Sequence, residues 1–383
     1  MVELRIVMIS GIDAKQFYGG SVRPINLNRA LSTMGVKIVH FCPRPPNENI
    51  KNTVFVSIPP GKSTAREIAT KIKLIIETWR FHADVIYAHP YGHHLGIYLS
   101  RCLKKPLVLD FHGSATLESE AYGYGPQPSL FEDEKERLLA TNRVIVASPA
   151  LKEELLTRFP VQEEHLVVIP NSIDLPMFAR SLSNEKLETT RRGLRIPDGN
   201  RVVAFTCPRR RDRYDTFLAN EIALKWFFQL LKQVETKRKD VTYLILGRGE
   251  FLAAPSPSVL YTGFVEDLPT TLAISDACVL PYPQNAVCGG ARNKALEYFA
   301  SRKPVISTTE GMRGIMAESE RDYLLADSQD EFAVRLLDVL SNNELAGKIA
   351  ANGFRVAERY TWNELGKPLY DALSSVACNG SKC

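Results

Sequence analysis

The sequence predicts an α/β protein made of two tandem, doubly wound parallel sheets. Three observations lead there. Short apolar runs of strand length alternate with helical patterns along the chain, as they do when helices cover both faces of a parallel sheet. The alternation runs twice, interrupted at Pro170-Asn171-Ser172-Ile173-Asp174-Leu175-Pro176, where two prolines, an asparagine and an aspartate mark an irregular connection after a strand. The 383 residues are also enough for two domains of ordinary size.

In the first half the strand candidates are Arg5–Ile9, Lys37–Cys42, Thr53–Ile58, Val85–Ala88, Pro106–Asp110, Val144–Ala147 and Leu166–Ile169. Helical patterns lie between them, among them Arg23–Met34, His93–Cys102, Glu132–Thr141 and Leu151–Phe159. The second half repeats the scheme, with strands at Val202–Phe205, Thr242–Leu246, Val259–Thr262, Ala277–Leu280, Pro304–Ser307 and Tyr323–Ala326. Its helices are Asn220–Lys237, Asp267–Ile274, Asn293–Ser301, Gln329–Ser341 and Glu344–Arg359. The charged stretch Ser181–Asp198 reads as a connection ending in a turn. Residues 1–172 thus form a first Rossmann-like domain and 173–360 a second. Residues 361–377 form a last helix, and 378–383 a tail.

A composition 45% hydrophobic and 24% charged is that of a soluble globular protein. The net charge of +5 suits anionic small ligands or an anionic membrane surface, and is too weak to argue for nucleic acid. The seven cysteines are odd in number and scattered, without metal-ligand spacing, which points to a reducing, cytoplasmic setting. The segment Met1–Ser10 reads as a strand rather than a signal peptide. No apolar run reaches the roughly 18–20 residues that a membrane-spanning helix needs.

The most informative stretch is Gly289-Gly290-Ala291-Arg292-Asn293-Lys294-Ala295-Leu296-Glu297. A glycine pair ahead of a helix leaves free N–H groups and the positive end of the dipole, a ready anion site. Glu297 falls roughly one to two turns into that helix. A carboxylate there repels phosphate but accepts hydrogen bonds from sugar hydroxyls. An anion cradle beside a hydroxyl reader suggests a nucleoside diphosphate-sugar.

Other polar loops follow strands, where open α/β sheets bind ligands. Gly19-Gly20 either lets the backbone approach a ligand or is a plain tight turn; it is not the dinucleotide fingerprint. Asp110-Phe111-His112-Gly113 ends an apolar strand, and His112 suits a sugar hydroxyl or acid–base work near neutral pH. Pro208-Arg209-Arg210-Arg211-Asp212-Arg213 is strongly positive; arginine binds phosphate bidentately, although such runs are often merely solvated. No aromatic platform accompanies the run, which argues against nucleic acid. The loop Gly247-Arg248-Gly249 can hold a base edge or simply turn the chain. Finally, Ile68, Ile72, Ile75, Ile76 and Trp79 share one face of a basic helical stretch. It reads either as a membrane-surface helix or as a helix covering the sheet with a wet outer face, and the second suits an α/β sheet better.

Together these residues resemble the retaining glycosyltransferases of the GT-B fold, family 4. The likeness rests on Gly19-Gly20, Asp110–Gly113, Val168–Asp174, Leu246–Gly249, Tyr261–Val265 and Gly290–Thr308, in that order. It implies two Rossmann-like domains facing a cleft, the first binding the acceptor and the second the nucleotide-sugar, with the last helix crossing back. Gly20 would then meet the donor diphosphate, and Gly19 stands beside it. His112 would contact the transferred sugar, and Arg209 or Arg211 the diphosphate. Asn293, with Ala291 and Arg292 before it, would lie beside the phosphates, and Glu297 would bind the ribose. Two departures stand out. Gly289 occupies the place of the first of two glutamates that the family often carries, and the arginine cluster with Asn220-Glu221 replaces an arginine–lysine pair.

The expectation is therefore sugar transfer from a nucleoside diphosphate-sugar to an acceptor hydroxyl with retention. No metal or other cofactor is expected, since no Asp-x-Asp is present. The acceptor would be a sugar, a lipid-linked glycan, a polysaccharide or a small molecule, met by first-domain loops such as Phe17–Gly20, Tyr91–His94 and Tyr122–Gly125, with peripheral contact to the inner face of a membrane. The competing readings are a sugar-nucleotide epimerase of the same fold and a non-catalytic relative.

Overall fold

The computed structural model of the protein describes residues 3–11, 19–58, 64–208, 216–249, 253–288 and 290–380. The chain divides into two compact units. The first comprises Met1–Thr116, Gln127–Ser172 and Trp362–Cys383, and the second Leu117–Pro126 and Ile173–Thr361.

The first unit carries β1 (Arg5–Ile9), β2 (Lys37–Cys42), β3 (Thr53–Ser57), β4 (Val85–Ala88), β5 (Leu107–Phe111), β6 (Arg143–Val146) and β7 (Leu166–Val168). They form one parallel sheet in the order β3-β2-β1-β4-β5-β6-β7. Between them run α1 (Gly19–Thr33), α2 (Thr64–Phe81), α3 (His93–Leu103), α5 (Pro128–Leu139) and α6 (Pro149–Arg158), while α4 (Ala115–Ala121), which follows β5 in sequence, belongs from Leu117 on to the second unit. Strand periodicity splits the core into two layers. Val7 and Ile9 of β1 pack on one face with Leu74 of α2, Leu99 of α3 and Leu155 of α6. Ile6 and Met8 face the other side, against Leu27 and Leu31 of α1 and against Leu369, Leu373 and Val376 of the carboxy-terminal helix.

The second unit repeats the plan with β8 (Arg201–Thr206), β9 (Val241–Leu246), β10 (Val259–Gly263), β11 (Ala277–Leu280), β12 (Val305–Ser307) and β13 (Leu324–Leu325). The order is β10-β9-β8-β11-β12-β13, again parallel throughout. Its helices are α7 (Leu175–Phe178), α8 (Asn184–Gly193), α9 (Thr216–Lys237), α10 (Leu268–Ala273), α11 (Asn293–Ala300), α12 (Thr309–Met312), α13 (Gln329–Ser341) and α14 (Asn343–Glu358). The last helix of the chain, α15 (Trp362–Gly380), belongs to the first unit and packs on α1. In both sheets the winding reverses beside the first strand, between β1 and β4 and between β8 and β11. These are the switch points where such sheets open a crevice for ligands.

The strands expected from sequence are present, with ends shifted by a residue or two. The charged stretch 181–198 differs, because it holds α8 rather than a loop. Ser183 caps that helix by accepting from the Lys186 N–H at 3.2 Å. The α8 side chains are mostly exposed, so no apolar stripe announces it. Gly19 and Gly20 also differ: they open α1 instead of preceding it. Pro24 falls inside that helix, where its ring withholds one N–H donor from the ladder.

One close approach seats the helix that carries the candidate site. A methyl group on Gly353 of α14 would lie 2.5 Å from Cδ1 of Phe299 on α11 and 3.1 Å from the Asp322 carbonyl. Alanine has the better helix propensity, yet Gly353→Ala is expected to lower the unfolding free energy by about 1–3 kcal/mol through overpacking. Equilibrium urea denaturation gives the sign directly.

Candidate active site

In the first unit the polar groups gather at the carboxyl ends of β4 and β5. Val108 and Asp110 point to the α1–α15 side of the sheet, because alternate residues of β5 share a face. Asp110 is fully buried, and so is Arg23, which reaches it from the early turns of α1. Arg23 Nε donates to Asp110 Oδ2 at 3.0 Å. Its two terminal nitrogens donate to the carbonyls of Pro170 at 2.8 Å and Ile169 at 2.9 Å, and to Asn171 Oδ1 at 3.3 Å. The Tyr87 hydroxyl donates to the same Asp110 oxygen at 2.6 Å. Burial alone would raise the Asp110 carboxyl, but Arg23, His112 and His89 outweigh it and hold it well below the usual range.

The other Asp110 oxygen faces His112, whose Nε2 lies 2.9 Å from Oδ1. These two atoms are close but not aligned as a hydrogen bond. His89 sits above Tyr87, fully buried, with Nδ1 3.2 Å from Asp110 Oδ2. Burial depresses its basicity well below normal, against the opposite pull of Asp110. His93 accepts from Arg137 at Nδ1, 3.0 Å away, so its Nε2–H donates to the Asp110 carbonyl, also at 3.0 Å. Burial lowers His93 to about 3. His112 is thus the partly exposed ring of the cluster, with 21% of its side chain accessible.

The donor atoms of His89, Asp110 and His112 all lie within 4.8 Å of one another, a spacing that admits a metal ion. The chemistry of the set argues against one. Arg23 already neutralises the single carboxylate, so a divalent ion would bury two uncompensated charges.

In the second unit the helix α11 opens beside the switch point. Gly290 is buried in a bend before it. Arg292 is its N-cap and is almost fully buried. Its guanidinium donates to the Ala286 carbonyl and to Glu310 Oε1 at 3.1 Å, and lies 3.6 Å from the Tyr282 ring centre. The arginine expected beside the phosphates is therefore spent on holding the loop. Ala291 packs against the core, and Asn293 keeps a buried Oδ1 with no partner among the described residues.

Lys294 was not singled out by the sequence, and it is the most constrained group here. Its Nζ donates to the Thr206 carbonyl at 2.7 Å, to Asn220 Oδ1 at 3.1 Å and to the Tyr282 hydroxyl. Thr206 ends β8 and Tyr282 follows β11, so the ammonium bridges the two strands that flank the switch point. Asn220 in turn donates to the Pro208 carbonyl at 2.7 Å and accepts from Tyr282 at 2.6 Å. Burial lowers Lys294 to about 8. A lysine in the first turn of a helix opposes the dipole, and that misfit was the available signal.

Glu297 follows one turn later, half-buried. Burial raises its carboxyl to about 7, with Lys294 pulling it back down. No described residue donates a hydrogen bond to its carboxylate. At the end of β9, Gly247 has φ +136°, and a Cβ there would lie 2.7 Å from the Pro208 backbone, so only glycine fits. Arg248 is exposed and stacks 4.1 Å from the centre of the Phe264 ring. Gly19 and Gly20 are backbone positions of α1. Arg209, Arg211 and Gly289 lie outside the described residues. Tyr122, expected on a first-domain surface, instead donates to the Val287 carbonyl in the second unit.

Two parallel sheets with reversed winding, each with its polar groups at a switch point, are the two Rossmann-like units of a GT-B architecture. Residues 18–176 match the profile of Glycosyltransferase Family 4, and residues 216–342 that of Glycosyl transferases group 1. These two segments take in most of the chain, which belongs to these glycosyltransferases. An uncharacterized glycosyltransferase of Methanocaldococcus jannaschii is 23% identical over 307 residues, covering 74% of this chain and 73% of its own. HepE of Anabaena, solved with UDP and glucose, aligns with a TM-score of 0.75 at 16% identity over 97% of this chain and 100% of its own. Sucrose-phosphate synthase of Thermosynechococcus elongatus aligns at 0.72 with 15% identity, over 98% and 99%.

The buried pair yields a double-mutant test. Asp110→Asn leaves the Arg23 charge unpaired and is expected to cost about 3–5 kcal/mol of stability, as is Arg23→Met for Asp110. The double variant is expected to lose clearly less than the sum of the two in chemical denaturation.

Proposed function

We propose that the enzyme transfers a sugar from a nucleoside diphosphate-sugar to an acceptor hydroxyl with retention of anomeric configuration. The observation that carries this reading is the pairing on α11. A cation, Lys294, is tied down at the switch point, and one turn on stands a carboxylate, Glu297, that no described residue hydrogen-bonds. A carboxylate without a donor suits the vicinal hydroxyls of a ribose, and the positive surroundings suit a leaving diphosphate. Charge building on that diphosphate in the transition state would be stabilised by fixed N–H groups and cations. Of the arginines after β8, Arg209 or Arg211 would serve that role, and no metal is required. His112, held against Asp110, would contact the transferred sugar. HepE, solved with UDP-glucose, supports starting a donor screen with uridine diphosphate-sugars.

The pH dependence of donor binding follows from Glu297. Ribose hydroxyls donate to the ionised carboxylate, which forms near pH 7 here. Affinity for a nucleoside diphosphate is expected to rise about tenfold between pH 6 and pH 8, and Glu297→Gln is expected to flatten that limb. Glu297→Ala should weaken binding at least tenfold at pH 8; unchanged affinity in calorimetry would sink the assignment.

The same shift has a stability sign. The native state holds this proton more tightly than the unfolded chain, so the contribution is full below about pH 4.5 and lost as pH rises through about 7. Retention itself is read from the anomeric proton coupling of the product by NMR.

A further inference from the structure

The loop 281–292 leads from β11 into α11, and its peptides are held one by one. An irregular stretch keeps a single shape only where its backbone groups find partners. The Ala286 N–H donates to the Pro283 carbonyl at 2.8 Å. The Ala286 carbonyl accepts from Arg292, and the Cys288 N–H donates to Glu310 Oε1 at 3.1 Å. These partners come from the loop itself and from α12. The Val287 carbonyl is held differently. It accepts from the Tyr122 hydroxyl, 165 positions earlier in the chain.

A strap brings Tyr122 there. Helix α4 starts in the first unit and passes at Leu117 into the second, and the chain returns at Gln127. Its start is fixed, because Ser114 Oγ and the Ala115 N–H donate to the two oxygens of the buried Glu134 at 2.8 and 2.6 Å. At the far end the Tyr122 ring packs against the core of the second unit. Burial raises the phenol and the nearby Glu118 carboxylate raises it further, so the hydroxyl keeps its proton and donates. The Val287–Cys288 peptide is thus gripped at both polar ends, its carbonyl by Tyr122 and its N–H by Glu310. A peptide group is a rigid plane, so holding both ends fixes its orientation about the chain.

We propose that Tyr122 is a positioning residue for the donor diphosphate: by holding the Val287 carbonyl it sets the course of the chain into α11, and with it the direction of the N–H groups that open that helix. This role rests on the proposed function, in which those groups meet the phosphates. Arg292 caps α11 without a side-chain hydrogen bond, and the first N–H groups of a helix have no partner inside it. A phosphate cradle gains from donors that are already aimed, since no reorganisation is then left for the reaction step. A tyrosine that only glued the strap in place would act through its ring and not through its hydroxyl.

Two variants of the full-length protein test it. Tyr122→Phe removes the hydroxyl and keeps the ring; Tyr122→Ala removes both. Hydrogen exchange read by mass spectrometry reports on the loop without any ligand. Peptides covering residues 284–295 are expected to exchange about tenfold faster in Tyr122→Phe, with peptides of α9 and α13 unchanged. Calorimetry with the diphosphates of uridine, guanosine and adenosine identifies the base that the wild type holds, and the mono- and diphosphate of that base are then compared. Tyr122→Phe should weaken the diphosphate about tenfold, the loss that one hydrogen bond is worth. The monophosphate should lose clearly less, since Glu297 would still hold its ribose. Tyr122→Ala should melt at a lower temperature yet match Tyr122→Phe in these affinities. Unchanged exchange in Tyr122→Phe, an equal loss for both nucleotides, or a loss confined to Tyr122→Ala would each overturn the role of the hydroxyl. Binding of none of the three diphosphates by the wild type would instead overturn the functional reading, and this role with it.

Discussion

The first unit is organised around a single buried ion pair, Arg23 with Asp110. Both ends are out of water, and such a pair is tolerated better the more of its remaining donors and acceptors are engaged. Arg23 directs its other nitrogens to Ile169, Pro170 and Asn171, where the chain leaves β7. One guanidinium thus fixes α1, the end of β5 and the exit of the last strand together. Replacing it by packed apolar atoms would leave those carbonyls without a side-chain donor and the carboxylate with the Tyr87 hydroxyl alone. Asp110 then divides its two oxygens. One serves Arg23 and Tyr87; the other faces His112, which inherits a fixed position from a pair it does not belong to.

The second unit solves a related problem with a positive charge that no carboxylate among the described residues hydrogen-bonds. Lys294 satisfies its ammonium on neutral oxygens from β8, α9 and the loop after β11. Solvation by oriented dipoles keeps the charge available to a ligand's field, whereas a salt bridge would cancel it. Burial still exacts its share, and the group titrates nearer neutrality than a free lysine. Beside it Arg292 and Glu310 form a true pair, and they hold the loop that leads into α11.

Much of this was legible in the sequence. The parallel sheets follow from apolar runs such as Val85–Ala88 and Ala277–Leu280, which are buried on both faces and therefore need no alternation. His112 was visible because a polar residue after such a run stands out, and Glu297 because it is the one carboxylate in a helix headed by a glycine pair. Arg23 was not, because its partner is 87 positions away and nothing local distinguishes a buried arginine from a solvated one. Arg292 looked like a phosphate ligand by its position, but its side chain turns inward to Glu310 and Tyr282, a choice set by tertiary packing. The helix α8 was missed because its charged residues show no apolar stripe, and its start depends on a single serine.

The approach of Gly353 to Phe299 bears on how this site can change over time. The helix carrying Lys294 and Glu297 has no slack behind it, since a single methyl group would already collide. It behaves as a fixed jig rather than an adjustable part. Side chains and loops around the jig can then be exchanged without moving it, while a larger residue at Gly353 calls for a smaller one at Phe299.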